Sequence, residues 1–149
     1  MSLITDIATL VNTLYPSATF ILSSKFNANL ASFSLTETQL PLIILDNELS
    51  KDSTIHKNAN VQKDSRIVIS VLDLDSAENS DLQSESIRQE CEDIADRLAI
   101  NILRLSEVIP LSNQKYKTTP AFHVFSTNLT GVILDMRANE NVVINFCTE

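Results

Sequence analysis

Residues 80–105 read SDLQSESIRQECEDIADRLAINILRL, and their periodicity is that of one long amphipathic helix. At 100° per residue, Ile87, Cys91, Ile94, Ala95, Leu98, Ile102 and Leu105 fall within an arc of about 100°. Ser80 and Gln83 have capping-box spacing, and Asp81 and Glu85 stand where the helix dipole favours negative charge. An apolar stripe of this length has to lie on a sheet. Glu85, Glu92, Asp93 and Asp96 fall on the far side, facing water or a partner. Ile100 and Leu103 also fall off the arc, which a solitary soluble domain does not need.

Strands on both sides of that helix supply the sheet. Before it, Arg66-Ile67-Val68-Ile69-Ser70-Val71-Leu72-Asp73-Leu74 is apolar on both faces, the pattern of a central strand covered on each side. Pro41 opens a further strand through Leu42–Leu45 to Asp46, and Ala18–Ser24 is rich in β-preferring residues. Apolar and polar residues roughly alternate over Phe26–Leu35, with a bend at Asn27-Ala28-Asn29. Leu3, Ile4, Ile7, Leu10, Val11 and Leu14 recur at helical steps, with Ser2 as a cap and Pro16 just beyond the end. Asn47–Asn60 is polar and aperiodic, so it reads as a loop, as does Ser106–Thr119 around Pro110. Ala121–Ser126, Leu129–Met136 and Asn141–Cys147 read as strands, the last two forming a hairpin that turns at Ala138-Asn139-Glu140-Asn141. The expected fold is α+β: a single domain over residues 1–149, with two amphipathic helices packed on a mainly antiparallel sheet.

Composition narrows the chemistry. A chain of 149 residues with 44% hydrophobic and 20% charged residues has the profile of one globular domain. It contains a single glycine, Gly131, which removes phosphate-cradling loops, since those need several positions without a Cβ. A net charge of −8 disfavours general binding to nucleic-acid backbones. The first lysine is Lys25 and apolar runs are short, so neither a secretory leader nor a membrane span is expected. The expectation is a chain made in a cytoplasm that stays there until it assembles. Cys91 and Cys147 have no metal-ligand spacing around them and read as small buried hydrophobes.

Three constellations have chemical potential. Asp73 and Asp75 point the same way on a strand and could hold a divalent cation; the plainer reading is a strand running out into solvent. Cys91 and His123 could form a nucleophile and its base, but the thiol sits mid-stripe, where desolvation makes it inert. His123 alternates with Phe122 and Val124 as a solvent-facing or interfacial side chain. His56 lies in a basic stretch with Lys51, Lys57, Lys63 and Arg66, offset by Asp52 and Asp64, with no aromatic residue for base stacking. Against it, nine acids face one base, Arg88, between Asp73 and Asp96. A basic arm and an acidic helix on one small domain suit head-to-tail self-association. No catalytic, cofactor-binding or metal-binding residue is assigned, and no enzyme activity is expected.

The order of elements resembles that of the tail terminator (tail-completion) proteins of long-tailed bacteriophages and prophages. The matching parts are the helix Leu3–Tyr15, the strand Pro41–Asp46, the extended loop Asn47–Asn60, the strand Arg66–Leu74, the helix Asp81–Leu105 and the closing hairpin Gly131–Cys147. That resemblance implies a structural virion protein: a ring, commonly six-fold, seated on the last ring of the tail tube. It would end tube polymerisation and offer its other face to the head-completion or connector protein. DNA would pass the channel without specific binding, eased by the acidic helix. Two alternatives stand beside it: a head-completion (stopper) or neck protein, and a monomeric acidic adaptor or immunity-type binding protein.

Overall fold

The computed structural model describes residues 3–22, 41–46, 51–55, 57, 60–75, 80–105, 108, 115–124 and 129–143. The elements run α1 (Leu3–Leu14), β1 (Thr19–Leu22), β2 (Leu42–Leu45), β3 (Lys51–Ile55), β4 (Asn60–Leu74), α2 (Asp81–Leu103), β5 (Tyr116–Val124) and β6 (Leu129–Val143). They build the expected α+β fold. One six-stranded sheet has the order β1-β2-β4-β6-β5, with β3 paired to β4 beside that path. Among the described residues only β1 and β2 pair in parallel, and every other strand pairing is antiparallel.

Alternation along the strands sorts the sheet into two faces. Ile43 and Leu45 of β2, Ile67, Ile69 and Val71 of β4, and Val132, Leu134, Met136 and Ala138 of β6 are buried in one cluster. Both helices among the described residues lie there. Leu3, Ile7 and Val11 of α1 and Cys91, Ala95, Leu98, Ala99 and Ile102 of α2 complete it. Small side chains at Cys91, Ala95 and Ala99 let α2 approach the sheet closely. The opposite face holds a second cluster of Leu42, Ile44, Leu72, Ala121 and Leu129. The capping box forms as the spacing predicts: Gln83 N donates to Ser80 Oγ at 3.3 Å, and Ser80 N donates to Gln83 Oε1 at 2.8 Å. Ile100 stays 47% exposed, but Leu103 packs against the core, so the pair expected to be left over reduces to one residue.

The main corrections concern β3, β4 and β6. The stretch expected to loop over Asn47–Asn60 contains β3, and β4 starts at Asn60, six residues before the expected Arg66. These added strands are polar, so no hydrophobic alternation marks them. Cross-strand pairing holds them: β3 with β4, and β4 with β6 at every position from Asn60↔Val143 to Leu74↔Leu129. The expected turn at residues 138–141 does not exist. Ala138, Asn139, Glu140 and Asn141 pair with Ser65, Asp64, Lys63 and Gln62 inside one continuous 15-residue strand. A tight hairpin there would need positive φ, which glycine supplies best, and the stretch has none. The loop expected to reach Thr119 also ends sooner, because β5 begins at Tyr116. Ser2, Phe26–Leu35, His56, Ser126 and Ile144–Cys147 lie outside the described residues.

Candidate assembly interface

A buried polar cluster occupies the end of β4, where sequence reasoning placed a paired carboxylate. Asp75 is only 6% exposed, so the strand does not run out into solvent there. Its Oδ2 accepts hydrogen bonds from Ser84 Oγ at 2.7 Å and Thr130 Oγ1 at 2.6 Å, both also buried. It therefore pegs the first turns of α2 to β6. Asp73 turns its carboxylate to its neighbour, accepting from Leu74 N at 2.7 Å. Among the described residues no group of three His, Cys, Asp or Glu side chains could hold a metal ion.

The thiol is equally closed. Cys91 is buried, with Sγ 3.7 Å from the Thr130 carbonyl oxygen. Burial pushes its pKa up to about 12, and the charges of Asp73 and Glu90 add to the rise. A thiol so protonated is no nucleophile at neutral pH. His123 lies on β5, and its side chain is outside the described set.

What the sheet exposes is an arm. Contacts such as Thr118 Oγ1 to Glu92 and Tyr116 OH to Asp96 show α2 advancing in the direction of β6. At 1.5 Å per residue the 23 residues of α2 span about 35 Å, whereas the 15 of β4 span about 50 Å at ~3.3 Å each. The strands therefore outrun the helix. Beyond it, Asp52, Ser53, Thr54 and Ile55 of β3 are exposed on both faces, and Ile55 near the tip is 80% exposed.

The arm carries its own charge ladder on the face away from the helices. Arg66 and Arg137 are directly opposite in register, and each reaches diagonally for a carboxylate. Arg66 grips Asp135 with two hydrogen bonds of 3.2 and 2.7 Å; Arg137 reaches Asp64 at 3.2 Å and Asp52 at 3.7 Å. The Arg66 hydrogen bond holds the Asp135 carboxyl below its ordinary pKa, with Arg137 and Lys117 contributing. Arg66 is thus engaged, and the basic character of the arm rests on its lysines, with Lys57 exposed at the tip.

The acidic face of α2 is partly stitched down. Arg88 binds Glu85 at 2.6 Å and Glu92 at 3.0 Å, and Tyr116 OH donates to Asp96 at 2.8 Å, which raises the tyrosine pKa. Asp81, Glu90 and Asp93 remain exposed. At the start of the helix a cleft of about 430 Å³ is lined by Asp81, Leu82, Ser84, Glu85 and Phe122. Leu82 is 83% exposed and Phe122 is 44% exposed. Sequence reasoning used Phe122 only to set the alternation around His123 and passed over Leu82, although nine steps of 100° place Leu82 opposite Cys91 on the helical wheel. No helix among the described residues is long and apolar enough to cross a membrane. No protein-family model matches the chain, and no curated protein matches it in sequence.

Proposed function

We propose that this protein is a structural, non-enzymatic component of a phage virion that closes into a ring at the head-proximal end of the tail tube. There it ends tube polymerisation and joins the tail to the head-completion or connector protein. The observation that carries the reading is the arm: β3, paired to the end of β4, with Asp52–Ile55 exposed on both faces. A strand exposed on both sides is a poor investment for a protein that works alone, because its outer edge has no partner strand among the described residues and Ile55 invites association. The buried thiol and the enclosed Asp75 favour a scaffold over a catalyst. In a six-membered ring the exposed acids Glu90 and Asp93 suit a channel wall that lets DNA slide without sticking. The test is electron microscopy of particles assembled without this protein. Overlong or headless tails are expected; normal virions would refute the proposal.

A further inference from the structure

We infer that the occupant of the Leu82–Phe122 cleft is the arm of a second copy of this chain, with Ile55 seated between the two side chains. This inference rests on the ring reading and deepens it by naming the junction. Two exposed apolar features lie at opposite poles of the sheet. Ile55 pairs in register with Val61 at one end of β4. Phe122 follows Ala121, which stands in the row of Gly131 and Leu72 at the other end. The eleven residue steps from Val61 to Leu72 separate the poles by about 35 Å.

The poles are complementary in shape and sign. One is a projection with an exposed isoleucine and the exposed Lys57; the other is a hollow lined by Leu82 and Phe122 beside the carboxylates of Asp81 and Glu85, the latter shared with Arg88. Its volume of about 430 Å³ accommodates an isoleucine side chain together with the aliphatic stem of a lysine. Because donor and acceptor surfaces are different patches of one chain, the contact is heterologous. Each copy then has one arm to give and one cleft to fill, so repetition closes a ring or extends a fibre. Burying Ile55 and Leu82 removes the two most exposed large hydrophobic side chains among the described residues.

Sedimentation velocity on the full chain tests this with two variants, Ile55→Asp and Leu82→Asp, each altering a side chain that the core does not use. Wild-type protein is expected to assemble as its concentration rises to millimolar, less so in high salt. Each variant alone is expected to lose assembly while keeping its circular dichroism spectrum and melting temperature. An equimolar mixture of the two is expected to form a dimer and stop there, since one intact arm meets one intact cleft. A wild type monomeric throughout, variants that assemble like wild type, or a mixture that stays monomeric would each overturn the junction. The ring reading is tested separately. Normal tails from variants that no longer assemble would leave the junction standing and remove the terminator role. Overlong tails without the protein, from a chain that never self-associates, would do the reverse.

Discussion

Replacing Gly131 with alanine should destabilise the fold, against the usual direction for a strand glycine. A Cβ at that position would lie 1.8 Å from the Val71 carbonyl oxygen and 2.9 Å from Leu72 Cα. Ordinary contact begins at 3.4 Å, so β4 and β6 must part by roughly 1.5 Å where they pair most regularly. Parting them weakens the ladder bonds around Leu72↔Gly131, each worth about 1 kcal/mol net. It also strains the packing of Leu42, Leu72, Ala121 and Leu129, for which overpacking costs about 1–3 kcal/mol. Together these give about 3–5 kcal/mol of destabilisation, or a melting temperature lower by about 10 °C for a chain of this size. Where space is available, Gly→Ala instead stabilises by about 0.4–1 kcal/mol through the unfolded chain. Urea denaturation of Gly131→Ala against wild type therefore discriminates by sign. An unchanged or more stable variant would refute the close approach of the two backbones.

Two further substitutions probe the charged groups. Asp75→Ala should cost about 3–5 kcal/mol in urea denaturation, because two buried hydroxyls lose a charged acceptor worth about 1.5–3 kcal/mol each; a loss below about 1 kcal/mol would mean the peg does not hold α2. The depressed pKa of Asp135 means that its pairing with Arg66 stabilises the fold fully above the unfolded carboxylate value of about 3.9. That contribution disappears as pH falls through the lower folded value, so Asp135→Asn should flatten the acid limb of stability against pH. For a pair this exposed the difference is small, and an acid limb identical to wild type would contradict the pairing.

Burial decided which parts of the molecule were legible in the sequence. The stripe of α2, its capping box, α1 and the apolar runs of β2 and β4 follow from side chains that must leave water, and each forms where the periodicity puts it. The arm follows no such rule. Lys51–Ile55 and Asn60–Ser65 are strands because β6 offers a continuous partner to β4, a long-range cause invisible in local pattern. The polar run from Asn139 to Asn141 imitates a turn, yet the alternation Val132, Leu134, Met136, Ala138 continues straight into it. Asp75 looked like a strand end reaching water because the hydroxyls that donate to it, those of Ser84 and Thr130, lie 9 and 55 residues away. The candidate assembly surfaces were half visible: the contrast between a basic arm and an acidic helix is in the sequence, whereas Arg66 and Arg88 being taken up by neighbouring carboxylates is not.

The unbroken pairing of β4 with β6 has a mechanical consequence. Two antiparallel strands joined at fifteen successive positions and pulled along their common axis share the load across all their bonds, instead of opening one after another from an end. Tension applied at Ile55 would therefore travel as shear to the far pole, where Asp75 fastens the helix. If a second copy grips the arm as proposed, the pull meets a joint that resists unzipping.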